Sequence, residues 1–285
     1  MTTTKRIHRN AASKDLPARM VRSPSRRAVL VCLLLGFTFS AACGGGGGDG
    51  GFTQPAAEDP FSFDVAIGTQ TAFQLLGVSG TVTVTGAPGA PLVSITGVRR
   101  VEAASVEDAN AHLADLQVDV SSTANEVLVK TVQPQFAGGR NYIVNYTIAL
   151  PDHLNITIMT VNGKVTVRSL NGNCTITSIN GPIEVDAIVG NAILALTNGN
   201  ITASVTLPAT GQIDSRVANG DIRLAIPQTT SAQFSATVAI GSIALTNLVL
   251  SNEVITPTSH SGVLGSGNGT IALNAAIGSI TVQGF

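Results

Sequence analysis

Three charged residues at repeat spacing are the first candidates for chemistry. Arg168, Glu184 and Asp186 fall in neighbouring units of a repetitive stretch. Two carboxylates with a basic residue beside them are what a β-helical polysaccharide lyase or hydrolase would use to move protons at a glycosidic bond. If one coil takes about 18 residues, Arg168 and Asp186 become stacked neighbours about 4.8 Å apart, and a surface ion pair outweighs the catalytic reading. Asn162, Asn171 and Asn180 recur every nine residues, the period of calcium-binding nonapeptide rolls. Such rolls need an Asp ligand in every turn, so calcium ligation is not expected here. His8, His112, His153 and His260 show no ligand spacing, so satisfied surface residues are expected and neither a metal site nor a cofactor is. Thr175-Ile176-Thr177 could begin an ice-binding ladder, which the other units do not continue.

The residue with the clearest assigned chemistry is Cys43. A basic, Ser-rich segment up to Arg27 leads into an apolar run, Ala28 to Phe39, too short to span a bilayer as a helix and of the right length for a signal-peptide core. The run ends in Phe39-Ser40-Ala41-Ala42-Cys43, which resembles a lipobox with Ser40 where Leu is usual. The thiol would accept the lipid, and an ordinary cleavage after Ala42 is the alternative. Five glycines, Asp49 and two more glycines follow, a flexible tether rather than core material. Ser25-Arg26-Arg27-Ala28-Val29-Leu30 resembles a twin-arginine export motif, and a plain basic n-region is the competing reading. Met20 could serve as the start. Gly44 is not the Asp of an inner-membrane retention signal, which favours the outer membrane in a cell with two membranes.

Composition bounds the function. The chain has 285 residues, 44% hydrophobic and 12% charged, ample for a packed core. After Cys43 there are eight basic and sixteen acidic residues, a formal charge of −8 that argues against nucleic acid. Trp is absent and Tyr occurs only as Tyr142 and Tyr146, so stacking platforms for sugars or bases are scarce. Cys32, Cys43 and Cys174 leave no disulfide pair in the mature chain, and Cys174 reads as a small buried hydrophobe.

The elements that must position these residues are repeats. Gly163, Gly172, Gly181, Gly190 and Gly199 stand nine residues apart, four of them preceded by Asn. Asn-Gly tolerates positive φ, so each marks a tight turn. The second and fourth residues after each glycine are apolar, as in Val165 and Val167 or Ile183 and Val185, which predicts strands with one buried face. Gly80, Gly220, Gly241, Gly269 and Gly278 open similar units. A longer repeat runs from Leu150-Pro151, Leu207-Pro208 and Ile226-Pro227, where each Pro ends a strand. Nine-residue units could stack as a parallel β-solenoid or pair as an antiparallel meander. The constant step favours the solenoid, because it keeps each apolar column in register.

The expected organisation is a signal peptide at 1–42, the lipidated Cys and Gly-rich tether at 43–60, a β-rich N-terminal region at 61–160 and solenoid repeats at 161–285. The N-terminal region carries one short helix, from about Val106 to Leu116, with Ser105 as N-cap and Asp108 three residues into it. Strands are expected at Gly80 to Thr85, Leu92 to Thr96, Gln117 to Val120, Val127 to Val132 and Tyr142 to Leu150.

From about Phe61 to Phe285 the chain resembles the bacterial adhesin-type β-repeat domain of unknown function, related to an auto-transporter adhesin head domain. The carrying residues are Gly80-Thr-Val-Thr-Val84, Ser105-Val-Glu-Asp-Ala109, Tyr146-Thr-Ile-Ala-Leu-Pro151, Val161-Asn-Gly-Lys-Val-Thr-Val167, Ala218-Asn-Gly-Asp-Ile222 and Gly267-Asn-Gly-Thr-Ile271. Val189 before Gly190 and Ala239-Ile240 before Gly241 depart from the pattern. The resemblance implies a β-solenoid, a cell-envelope location and adhesion, with no catalytic residues to carry over. The expected partners are the membrane, through the lipid, and a protein or surface not named by the sequence, with self-association included. A glycan-active envelope enzyme and an accessory subunit of an envelope-stress or secretion system are the competing functions.

Overall fold

Branched apolar residues at every second position commit a chain to strands with one dry face. In the computed structural model, which describes residues 54–285, twenty-one such strands form two mixed sheets, neither closed into a barrel. The expected signal peptide, with Arg26 and Arg27, and the tether from Cys43 to Thr53 lie outside the described residues. The first strands are β1 (Ala56–Ala66), β2 (Ala72–Leu76), β3 (Val82–Ala87) and β4 (Leu92–Glu102). After α1 (Val106–His112) and a 3-10 turn at Leu113–Asp115 come β5 (Gln117–Ser122), β6 (Glu126–Val132) and β7 (Asn141–Pro151). The repeats follow as β8 (Asn155–Met159), β9 (Val165–Leu170), β10 (Cys174–Asn180), β11 (Ile183–Val189), β12 (Ala192–Asn198), β13 (Ile201–Thr206), β14 (Gln212–Asn219) and β15 (Ile222–Ile226). The last six are β16 (Ala232–Ile240), β17 (Ile243–Thr246), β18 (Leu250–Ile255), β19 (Ser259–Leu264), β20 (Gly269–Ile277) and β21 (Ile280–Gly284).

From β7 to β18 consecutive strands alternate between the sheets. One sheet runs β1-β4-β7-β3-β9-β11-β13-β15-β21-β17 and the other β18-β19-β16-β20-β14-β12-β10-β8-β2-β6-β5. Two nine-residue units therefore make one coil, and partners stand eighteen residues apart: Ile183 faces Val165 and Ile201, and Cys174 faces Ile156 and Ala192, all in parallel. The inward columns of both sheets, such as Val82, Val165, Ile183, Ile201, Ile222 and Ile280, form one continuous core.

Several expectations need correction. The stack is not uniformly parallel, because β1-β4, β4-β7, β5-β6, β16-β19 and β18-β19 pair antiparallel. These pairs lie at the two ends, where a strand has no following coil to stack on and a hairpin partner covers it instead. Coil order also departs from chain order. β2 and β3 sit between the β6/β7 and β8/β9 coils, and β20 and β21 sit between the β14/β15 and β16/β17 coils. The sheets run unbroken through the 160/161 boundary, since β3 pairs with β9. β1 starts at Ala56, inside the stretch assigned to the tether, and β1, β2 and β8 had no counterpart in the expected strands.

The helix starts where expected, with Asp108 N–H donating to Ser105 Oγ at 3.1 Å, but ends at His112. It packs against β1 and β4, held by Arg140, which grips both carboxylate oxygens of Asp108 at 3.0 and 2.7 Å. That guanidinium holds the Asp108 carboxyl below its usual range. Edge strand β1 carries Glu58, Asp59, Pro60 and Asp64, residues that discourage pairing with another chain.

Ile183 and Val185 are buried while Glu184 looks outward, so the three positions should respond oppositely to mutation. Ile183→Asp puts an unpaired carboxylate in an apolar column and should cost several kcal/mol. Glu184→Ala should cost about 0.5 kcal/mol. Thermal melts of the two variants test the register, and a larger loss for Glu184→Ala would refute it.

Candidate functional site

One corner of the stack is built from Asn-Gly pairs, and the two residues divide the task. The glycines take backbone that L side chains avoid, with φ of +124° at Gly163, +109° at Gly181, +132° at Gly199 and +139° at Gly220. They also let coils touch: a Cβ on Gly181 would stand 2.4 Å from the Gly163 carbonyl oxygen. Gly172 departs from the expected pattern. Its φ is not left-handed, and a Cβ there would meet the Leu154 carbonyl oxygen at 2.5 Å, so close approach rather than turn geometry requires the glycine.

The asparagines do more than the turn chemistry read from the sequence. Asn180 Nδ2 donates to Asn162 Oδ1 at 2.8 Å, Asn198 Nδ2 to Asn180 Oδ1 at 2.9 Å, and Asn219 Nδ2 to Asn198 Oδ1 at 2.9 Å. This amide ladder climbs one coil per step and satisfies its members along the stack. At another corner the side-chain oxygens of Asn155, Asn173 and Asn191 accept the backbone N–H of Asn173, Asn191 and Gln212 at 2.9, 3.1 and 2.7 Å. The signal that could have revealed the ladders was recurrence at eighteen residues rather than nine.

The charged trio sits on the outer face of the first sheet. Arg168 and Asp186 are register partners, as the eighteen-residue coil requires. The ion pair falls elsewhere, however, because Lys164 Nζ meets Glu184 Oε1 at 2.6 Å, whereas Arg168 and Asp186 make no ion pair among the described residues. The backbone kinks directly after both, with left-handed φ at Ser169 and Ala187, as at a β-bulge. The resulting hollow, about 290 Å³, is shallow and lined by Thr166, Arg168, Glu184, Asp186, Thr202 and Ser204.

The outer face of the second sheet is sparsely charged over its central strands, β8 to β16. Parallel register places Thr157, Thr175, Ile193, Asp214, Ala272 and Ser235 in one column and Met159, Thr177, Ala195, Arg216, Asn274 and Thr237 in the next. The two charges in these columns between β8 and β16 neutralise each other: Arg216 grips Asp214 through two hydrogen bonds, at 2.9 and 2.8 Å. Met159, Ile179 and Ile193 project from this face as exposed apolar side chains.

The remaining reactive groups are structural. Cys174 is buried, and burial pushes its thiol up to about 12, so it is the small hydrophobe expected. Burial likewise pushes the Tyr146 phenol up to about 12, and its hydroxyl shares a 2.7 Å hydrogen bond with Thr131. His260 was expected at the surface. It is instead buried on β19, edge-on to Phe234, with Nε2 2.6 Å from Glu253 Oε1. No cluster of His, Cys, Asp and Glu among the described residues could hold a metal ion.

Fold and faces together define an all-β protein built of two large mixed sheets, neither closed into a barrel. No protein-family model matches the chain, and no curated protein does. Among solved structures it is similar to a candidate cell adhesion protein from Clostridium sporogenes, at 10% identity and TM-score 0.43, covering 80% of this chain and 100% of that one. A candidate adhesin from Bacteroides fragilis aligns at 12% identity and TM-score 0.27 over 82% of this chain and 100% of its own. A candidate lipid binding protein from Parabacteroides distasonis aligns at 10% identity and TM-score 0.24 over 79% and 96%. Likeness at this level transfers no activity, ligand or residue role to this chain.

Proposed function

We propose that this chain is an exported envelope lipoprotein, tethered through Cys43, whose coils form a predominantly parallel β-solenoid used for non-catalytic, adhesive contact. The observation that carries the reading is the outer face of the second sheet. It is regular, it is indented only by a wide, open hollow of about 510 Å³ around Thr177, Ile179, Ala195, Arg216 and Asn274, its Asp214 and Arg216 neutralise each other, and Met159, Ile179 and Ile193 are exposed on it. Such a face suits contact with an extended surface or another copy better than capture of a small molecule, which favours a concave pocket. The parallel register of β8 to β15, eighteen residues per step up to β12 and β13 and twenty-one from there (Ala192 to Ile213, Ile201 to Ile222), supports the solenoid. The apolar run, Cys43 and the glycine tether support the anchor.

Fractionation tests the anchor: Cys43→Ser should move the protein from the membrane to the soluble fraction, and unchanged retention would sink the lipoprotein reading. Contact is tested with protein-coated beads offered envelope fragments or a second copy. Ile193→Glu with Thr177→Glu should cut retention about tenfold by burying like charges at the contact, with little change in the melt. Retention that survives both substitutions would remove this face from the proposal. The same protein should leave a panel of envelope glycans intact. Turnover abolished by Glu184→Gln or Asp186→Asn would replace the adhesive reading with an enzymatic one.

A further inference from the structure

Six Asn-Gly pairs occur among the described residues, beginning at Asn162, Asn171, Asn180, Asn198, Asn219 and Asn268. Asn followed by Gly is the dipeptide most open to one self-reaction, because no Cβ hinders the glycine nitrogen. That nitrogen loses its proton and attacks the Asn Cγ. The new C–N bond closes a five-membered succinimide, and the side-chain nitrogen leaves as ammonia. Water then opens the ring to aspartate or isoaspartate, so no oxidant or cofactor is needed.

In five of the six pairs the nucleophile is occupied. The N–H of Gly163, Gly181, Gly199, Gly220 and Gly269 donates to the carbonyl of Asn180, Asn198, Asn219, Ile277 and Ser231, at 2.8 to 3.0 Å. In four of those five the Asn amide is also tied into the ladder. Reaction there must first break a coil-to-coil hydrogen bond inside a stacked sheet. Gly172 is different: its N–H meets no acceptor among the described residues, and Asn171 is exposed. The Asn171 amide stands outside the ladder and donates to the carboxylate of Asp152.

We propose that Asn171 is the deamidation site of the folded protein, and that the hydrogen-bonded glycine nitrogens, reinforced at four of them by the ladder, hold the other five pairs unreactive. The consequence is local and electrostatic. Conversion replaces the donor that Asp152 accepts with a second carboxylate, against a residue that is itself only 9% exposed, and like charges so placed repel. The repulsion falls on the turn where Asn171 N–H donates to the Asp152 carbonyl at 2.7 Å.

The test is peptide mapping by mass spectrometry of the folded mature chain held at mildly alkaline pH, with a parallel sample in urea. Folded, Asn171 should convert about tenfold or more faster than any other Asn-Gly, and in urea the six rates should converge. Conversion of Asn180 or Asn268 as fast as Asn171 in the folded chain would overturn the proposal. Asn171→Asp should melt below the unmodified protein, and Asn171→Gln should abolish the early conversion. An Asn171→Asp melt equal to that of the parent would refute the repulsion at Asp152.

Discussion

A chain that stops at Asn268 should fail to fold. In an ordinary stack of repeats the last unit is the outermost, and its loss frays one end. Here β20 lies between β14 and β16, and β21 between β15 and β17. Truncation therefore removes an interior rung from both sheets and leaves two facing ladders without partners. It also removes the buried Ile271, Leu273, Ala275, Ile280 and Val282. At about 1.5–3 kcal/mol for each large apolar side chain, the loss is on the order of 10 kcal/mol. A whole domain holds about 5–15 kcal/mol of stability. Circular dichroism should show no cooperative melt. A truncated chain melting cooperatively within a few degrees of the full one would disprove the inserted order.

The second large effect is expected at Gly220. Its φ is +139°, and an added Cβ would lie 1.9 Å from the Gly199 carbonyl oxygen, a backbone atom that cannot rotate away. Gly220→Ala therefore combines left-handed strain, about 1–3 kcal/mol, with forced separation of two coils, about another 1–3 kcal/mol. For a folded part of this size a loss of that order lowers Tm by about 10 °C. Gly89→Ala is the matched control, because Gly89 also has positive φ, +69°, but an added Cβ meets nothing within 4 Å. It should cost only the strain, about 1 kcal/mol. Equal Tm shifts for the two variants would mean that coil contact is not what requires a glycine at position 220.

The local alternation of residues such as Ile183, Glu184 and Val185 determined which side of each strand is dry, because side chains on a strand alternate whatever it pairs with. Ser105 and Asp108 likewise determined where the helix begins, since a cap is a contact three residues long. The eighteen-residue coil, and the stacking of Arg168 on Asp186, followed from doubling the repeat. β1 was harder to read, because Glu58, Asp59 and Pro60 mask a strand whose inward Ala57 and Val65 pack on the core.

What only the tertiary structure decided is which coil lies on which. The inward Ile271, Leu273 and Ala275 of β20 follow the same alternation as Ile213, Ser215 and Val217 of β14 and Phe234, Ala236 and Val238 of β16, so its place inside the stack, rather than at its end, is a choice among non-local pairings that the alternation alone does not distinguish. The same holds for the partner of Glu184, taken by Lys164 across the coil, and for the asparagine ladder, which exists only when four turns distant in sequence come to lie one above another. A repeated pattern specifies the face of every strand and leaves its neighbours degenerate. That degeneracy is lifted by the ends, where hairpins, the helix and charged edges close a stack that the repeat alone would allow to continue.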